Sequence, residues 1–141
     1  QRFDSQAING ITSRNSEPIP LQTEKFMEKD RLFLLNMGFH DGQYPGEQFF
    51  CPDCTLLEGL LAKNPELANA IEVTYVRFEK PRQAVIELAG EQHQSLPLLV
   101  LPRGERSGFP APEYHGRECL STLNDILATL SARHAFPKKH P

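Results

Sequence analysis

Two cysteines three positions apart, Cys51 and Cys54, carry the chemistry that is most conspicuous in this sequence. They enclose the dipeptide Pro-Asp and lie between an apolar run typical of a strand and one typical of a helix. Thiols with this spacing can form a disulfide across one helical turn or bind a metal ion together. Further along, residues 95–98 (Ser-Leu-Pro-Leu) place a proline at the head of a short apolar run typical of a buried strand. Together the two segments favour thiol redox chemistry.

The role predicted for each cysteine follows from its place on the helix. Pro52 fits the first turn, where a missing backbone N–H costs nothing, and this puts Cys51 at the helix N-terminus. Unpaired N–H groups and the helix dipole favour a thiolate there, so we expect Cys51 to attack a substrate disulfide. Cys54, one turn further in, would then resolve the mixed disulfide. Asp53 adds a negative charge that opposes thiolate formation and favours a more reducing pair.

The elements that must position these cysteines alternate between strands and helices. Apolar runs with strand periodicity are found at residues 31–35, 71–78 and 98–101, and in a short stretch near Tyr114. Helices are predicted at residues 52–63, 66–70 and 81–90, and after a cap at Ser121 or Thr122. This order predicts an α/β fold with a central mixed sheet of about four strands flanked by helices. The first two strands, joined by a helix, are expected to be parallel.

Composition and charge predict a globular chain that binds neither nucleic acid nor membrane. The 141 residues are 39% hydrophobic and 23% charged, which is enough for one domain with a core. The net charge is −3, no run of basic residues is present, and no apolar run is long enough to span a bilayer. Three cysteines make a poor disulfide framework, so we expect a reducing compartment, the cytoplasm.

The chain divides into a polar beginning, a domain and a short tail. Residues 1–28 are rich in Ser, Asn and Gln and lack sustained periodicity, which predicts a flexible arm or an extension foreign to the natural chain. Residues 29–136 form the predicted domain, and residues 137–141 form a C-terminal tail.

The predicted domain resembles the thioredoxin and glutaredoxin superfamily. The resemblance rests on a strand, on the Phe-Cys-Pro-Asp-Cys segment that opens a helix, and on the later Ser-Leu-Pro segment that enters a strand. It implies a thioredoxin-like fold in which Pro97 is cis and faces the cysteines while Leu96 contacts the substrate. Pro52 and Asp53, between the thiols, complete the expected substrate-contacting set. The implied substrate is a protein disulfide or a glutathione-like thiol, and no cofactor is required.

A narrower resemblance joins the chain to a small bacterial family of thioredoxin-like proteins defined only as a domain of unknown function. It rests on the Tyr-Pro-Gly, Phe-Cys-Pro-Asp-Cys and Gln-Ser-Leu-Pro segments. Three features depart from thioredoxin and glutaredoxin themselves: no Trp precedes the cysteines, Asp53 is acidic, and a long loop, residues 39–50, separates strand and motif. The aromatic residues of that loop, Tyr44, Phe49 and Phe50, are expected to anchor it on the core.

Three roles of the cysteine pair fit the sequence. The first is the redox dithiol, and the second is a structural pair in a non-catalytic binding or scaffold protein, which would allow a homodimer through the long loop or the arm. The third is a metal site, either zinc or an iron–sulfur cluster. Zinc needs four ligands, and only Cys119 and five histidines remain to complete a set. Cys119 fits a third ligand, a redox partner or a small buried hydrophobe.

Charged side chains near the predicted site fit supporting roles. Glu58 follows Cys54 by four residues and would accept its proton if it were buried, but a solvated position on the polar face of the helix is expected. The arginines that fit a glutathione carboxylate, each expected to be solvated instead, are Arg77, Arg82 and Arg103, with Gln83 or Gln94 assisting.

Overall fold

The computed structural model describes residues 28–141, which contain five strands and four helices. In chain order the elements are β1 (Asp30–Leu35), α1 (Pro52–Lys63), α2 (Pro65–Ala68), β2 (Ile71–Val76), α3 (Gln83–Ala89), β3 (Leu98–Val100), β4 (Glu113–Tyr114), β5 (Arg117–Leu120) and α4 (Leu123–His134). The arm predicted for residues 1–28 lies outside the described residues, apart from Glu28. No helix in the described part has both the length and the apolar character needed to cross a membrane.

The strands form one mixed sheet in the order β2-β1-β3-β5-β4. β1 and β2 are parallel over their full length, from Asp30 opposite Ile71 to Leu35 opposite Val76, as predicted for two strands joined by a helix. β3 is antiparallel to β1, and β5 is antiparallel to both β3 and β4. Because β1 and β2 are parallel, the segments that follow them leave the sheet at the same edge, where α/β proteins commonly place their sites.

The sheet has one strand more than the approximate four predicted. The expected strand near Tyr114 is β4, whereas β5 was not predicted because its sequence, Arg-Glu-Cys-Leu, carries charge in place of an apolar run. Glu118 is nevertheless buried. Its carboxylate accepts hydrogen bonds from the backbone N–H and the hydroxyl of Ser107, at 3.0 and 2.6 Å. A buried carboxylate with its hydrogen bonds satisfied is indistinguishable in sequence from a solvated one.

Several element boundaries differ from the prediction, and those of β1 and β3 differ by a single residue. β2 ends at Val76 rather than at residue 78, and α2 spans Pro65–Ala68 rather than residues 66–70. α3 begins at Gln83, not at Pro81, because Arg82 is its N-cap and the Lys80–Pro81 peptide bond is cis. Gly90 ends α3 as predicted.

Two apolar cores lie on opposite faces of the sheet, because successive side chains of a strand point to opposite faces. Leu32 and Leu34 of β1 pack in a core with α1 and α4, and Phe33 between them packs in a core with α3. The α1/α4 core takes Cys54, Leu57 and Leu61 from α1 and Ile126, Leu127 and Leu130 from α4. Helical spacing in the sequence predicts that α1 has one apolar face, formed by Leu56, Leu57, Leu60 and Leu61. Leu57 and Leu61 are buried as predicted and Leu60 is partly buried, but the prediction is wrong for Leu56, which is exposed.

A buried ion pair ties the first strand to the last helix. Asp30, at the start of β1, is only 1% exposed. Its two carboxylate oxygens accept hydrogen bonds from Nε and Nη2 of Arg133, each at 2.7 Å. Nε2 of His134 also lies 2.7 Å from Oδ2 of Asp30, and Nη1 of Arg133 donates to Glu105 at 2.9 Å. Hydrogen bonding to Asp30 raises the pKa of Arg133, so the guanidinium keeps its charge in this contact.

Candidate functional site

Cys51 occupies the N-cap of α1, as the sequence predicts. Its backbone is extended (φ −86°, ψ 118°), and Pro52 follows in the first turn. The Cys51 sulfur accepts a hydrogen bond from the backbone N–H of Cys54 at 3.2 Å. Its side chain is half-buried, so the sulfur is reachable from solvent while it caps the helix. The backbone N–H groups of a helix N-terminus have no partners within the helix, so they can donate to a sulfur at this position.

Cys54 has a different environment. It is 2% exposed and packs in the α1/α4 core. Its sulfur accepts a hydrogen bond from the N–H of Leu35, the last residue of β1, at 3.4 Å. Burial is the main cause that raises the pKa of Cys54 to about 12, and the neighbouring Cys51 thiol and the charge of Asp53 add to the shift. At neutral pH Cys54 is therefore a protonated thiol beside a more accessible one.

The segment around Pro97 shares its core with the cysteines. The Leu96–Pro97 peptide bond is cis, which is what the superfamily resemblance implies. Pro97 is buried, while Leu96 is half-buried and packs against the α1/α4 core, as Cys51 also does. Pro52 and Asp53 are exposed in the first turn of α1. Substrate contact by these four residues stays a prediction.

The long loop before Cys51 is held closed at its base. Phe39 and Phe49 exchange two backbone hydrogen bonds, of 2.9 and 2.7 Å, and the Phe39 ring stacks on Phe78 with 4.6 Å between centroids. Phe49 therefore anchors the loop as predicted. Phe50 does not, since it is 57% exposed, and Tyr44 is similarly exposed although its ring meets the edge of Phe49. An exposed aromatic side chain thus lies directly beside the nucleophile candidate.

Arg82 is the residue whose environment differs most from the sequence prediction. A solvated side chain was expected, yet Arg82 is only 7% exposed. Its guanidinium donates to the carbonyl oxygen of Phe78 through Nε at 3.1 Å and through Nη2, and to that of Gln94 through Nη1 at 2.7 Å. It also lies over the Phe78 ring, 5.6 Å from the centroid. No local sequence signal marks this residue, because its partners are main-chain carbonyls brought together by the fold.

The remaining candidates have partners of their own. The carboxylate of Glu58 accepts a hydrogen bond from the hydroxyl of Tyr75 at 2.8 Å, which raises the pKa of Tyr75. The candidate base for Cys54 is therefore engaged by another residue. Arg77 is paired with Glu79 at 3.4 Å, and Nε of Arg103 donates to a backbone carbonyl. The ionisable groups of the cysteine turn itself are Cys51, Asp53 and Cys54.

Residues 29–138 match a family model described as "Protein of unknown function (DUF3088)". The chain belongs to the DUF3088 family. This confirms the expected membership of a family defined as a domain of unknown function. The match includes the cysteine pair, the loop before it and Pro97. No curated protein and no solved structure matches the chain.

Cys119 lies apart from the cysteine pair of this DUF3088 domain. It is buried in the α3 core, with Phe33 and Val85, whereas Cys54 is buried on the other face of the sheet. It is therefore a small buried hydrophobe, and it is not placed to act with the pair as a third ligand or a redox partner. Within residues 28–141, no three His, Cys, Asp or Glu side chains are grouped so that they could hold a metal ion. A zinc site at the pair would need ligands from outside these residues.

Replacing Cys119 with Ala is expected to weaken the loss of stability at alkaline pH. Burial raises the pKa of Cys119 to about 11, so the folded chain keeps a proton that the unfolded chain loses above about pH 8.5. The stability linked to this proton is present below about pH 8.5 and is lost as the pH rises toward the folded pKa. Between about pH 8 and 10.5, the free energy of unfolding should fall about 2 kcal/mol less in Cys119→Ala than in the wild type.

Urea denaturation at a series of pH values measures this difference. Cys54 contributes a pH dependence of the same sign, but it is present in both proteins and cancels in the comparison. Parallel curves for the two proteins would show that the Cys119 proton does not contribute.

Proposed function

We propose that this protein has a thioredoxin-like fold and acts as a thiol–disulfide oxidoreductase, with Cys51 as nucleophile and Cys54 as resolving thiol. The observation that carries the proposal is that the two thiols differ in their exposure to solvent. Cys51 is half-exposed at a helix N-terminus, and Cys54 is buried with a pKa raised to about 12. An accessible thiol at a helix N-terminus, with a protected neighbour one turn away, is the arrangement that disulfide exchange needs.

The reaction transfers two electrons from the dithiol to a disulfide. The Cys51 thiolate attacks one sulfur of the substrate disulfide, whose other sulfur leaves as a thiolate, and a mixed disulfide with Cys51 forms. Cys54 then loses its proton to solvent and attacks the Cys51 sulfur. The second substrate sulfur leaves as a thiolate, and a Cys51–Cys54 disulfide remains. An external dithiol reductant must return this disulfide to the reduced form.

The substrate class follows from the surroundings of Cys51. The exposed Phe50 ring, adjacent in sequence to Cys51, presents apolar surface, which suits a protein disulfide better than a small charged one. A glutathione-like thiol remains the second substrate class. Three cysteines make a poor disulfide framework, which fits a reducing compartment, and we infer the cytoplasm.

The reduction potential of the pair tests the proposal directly. Equilibration in glutathione redox buffers, followed by acid quenching and mass counting of alkylated thiols, should give a value between about −180 and −270 mV, the range of dithiol oxidoreductases. The reduced protein should also reduce a protein disulfide such as that of insulin. A potential below about −300 mV together with no reductase activity would indicate a structural disulfide and contradict the proposal.

A second candidate function is a non-catalytic binding protein that retains the fold. Its support is the exposed apolar surface that the 36–50 segment presents through Met37, Tyr44 and Phe50. This candidate predicts a homodimer or a stable complex through that segment. Sedimentation of the wild type and of Phe50→Ser separates the two functions, because only the binding protein should change its association state while its thiol chemistry is unaltered.

A further inference from the structure

Arg82 is a buried cation that forms no ion pair within residues 28–141. It is 7% exposed, and its hydrogen-bond acceptors are the neutral carbonyls of Phe78 and Gln94. Arginine is rarely buried without a carboxylate, because removing its charge from water is unfavourable unless an opposite charge or hydrogen bonds compensate for the lost hydration. Burial lowers the pKa of Arg82, although not enough to neutralise a guanidinium.

The place of Arg82 in the fold brings it to the cysteines. The Cys54 sulfur accepts a hydrogen bond from the N–H of Leu35 at the end of β1. The N–H of the next residue, Asn36, donates to the carbonyl oxygen of Val76 at the end of β2. The loop that follows β2 carries Phe78 and then Arg82. Because β1 and β2 are parallel neighbours, this loop and the segment that leads from β1 to α1 leave the sheet at the same edge.

Two segments of the chain hold Arg82 in place at that edge. Its own backbone N–H donates to Oε1 of Gln94 at 2.8 Å, and its guanidinium donates to the carbonyl oxygen of Gln94. Gln94 lies three residues before Pro97. On the other side, Phe78 lies under the guanidinium and stacks on Phe39 of the long loop. The side chain therefore joins the segment leading to Pro97 with the loop leading to Cys51, and it cannot easily turn to solvent.

Few charged groups act on Cys54. Cys51 and Asp53, from its own helical turn, both disfavour the Cys54 thiolate. The charge of a Cys54 thiolate favours the charged form of Arg82, and the carboxylate of Glu79 does the same. An opposite charge favours ionisation of its partner, so the Arg82 charge works against the burial of Cys54.

We propose that Arg82 is a positioning residue for the dithiol, placed so that its charge favours the Cys54 thiolate as that thiolate attacks the mixed disulfide on Cys51. This rests on the proposed function and identifies the step at which Arg82 acts. In this step Cys54 loses its proton to solvent, the new S–S bond joins Cys54 to Cys51, and the substrate sulfur leaves with the electron pair. The first step, attack by Cys51, does not need Arg82.

A two-step reaction with 5,5′-dithiobis(2-nitrobenzoate) tests the proposal. Attack by Cys51 releases one coloured thiolate, and attack by Cys54 on the resulting mixed disulfide releases a second. In stopped-flow mixing at about pH 8, Arg82→Gln should slow the second release about tenfold, which corresponds to one pKa unit at Cys54, and leave the first release unchanged. Arg82→Lys, which keeps the charge, should stay within about threefold of the wild type.

Arg77→Gln is the matched control, because Arg77 is five residues upstream and its side chain is 82% exposed. Unchanged second release in Arg82→Gln overturns the proposal. So does an equal loss in Arg82→Gln and Arg82→Lys, since that would assign the effect to the carbonyl contacts. If Arg82→Gln does not fold by circular dichroism, Arg82→Lys decides: a rate near wild type supports the charge, and a tenfold loss refutes it. A wild type that releases only one thiolate contradicts the proposed function itself, and Arg82 with it.

Discussion

Replacing Cys51 with Ser is expected to abolish reaction with disulfides, while Cys54→Ser is expected to accumulate the mixed disulfide. In Cys51→Ser the remaining site thiol is Cys54, whose pKa is raised to about 12. At pH 7 its thiolate fraction is about a thousandfold below that of an ordinary cysteine, and the buried sulfur is also hard to reach. Cys54→Ser keeps the attacking thiol but has nothing to resolve the product. Its adduct with a model disulfide should persist on gel filtration and be detected by mass spectrometry.

Cys119→Ala is the matched control for both variants. It also removes a thiol, but from the α3 core on the other face of the sheet. Its reaction with disulfides should match that of the wild type. Rapid reaction of Cys51→Ser, or an adduct in Cys54→Ser that is released as fast as in the wild type, would show that the roles of the two cysteines are assigned wrongly.

The second large effect concerns the buried ion pair between β1 and α4. Arg133→Met should lower the free energy of unfolding by about 3–5 kcal/mol, because it leaves the carboxylate of Asp30 buried beside His134 alone. The double variant Asp30→Asn/Arg133→Met should recover part of this loss, since it removes the buried charge together with its partner. Urea denaturation of the wild type, both single variants and the double variant completes the cycle.

An exposed arginine gives the comparison for this cycle. Arg77 has a side chain that is 82% exposed and pairs at 3.4 Å with Glu79, which is also exposed, so Arg77→Met should change stability by less than about 1 kcal/mol. If Arg133→Met were no more destabilising than Arg77→Met, the Asp30 contact would not be what holds α4 to the first strand.

Local patterns predicted the parts of the fold that depend on local forces. α1 occupies the predicted residues because Pro52 starts it and Asn64 ends it before Pro65, and both signals act within one turn. The parallel pairing of β1 and β2 followed from the helices between them. The position of Cys51 at a helix N-terminus followed from the same proline, so the centre of the candidate site could be predicted.

The parts that escaped prediction depend on contacts between distant residues. β5 was missed because Glu118 is buried by Ser107, eleven residues away, and such a contact leaves no periodic signal. Arg82 was expected in solvent because its partners are the carbonyls of Phe78 and Gln94, which any sequence supplies. Phe50 was expected to pack because aromatic residues usually do, and its exposure depends on how Phe39 and Phe49 close the loop beneath it.

The sheet that separates the two cores also limits which cysteines can be cross-linked. Three thiols permit three pairings in an unfolded chain, whereas the folded chain can join only Cys51 to Cys54 without moving a strand. Oxidation of the native protein should therefore yield a single covalent isomer, and the odd thiol should neither scramble it nor link two molecules. Alkylating the free thiols before and after denaturation, and counting the labels by mass spectrometry, would then report the redox state of the pair. Cys119 is the internal standard, because it reacts only once the chain has unfolded.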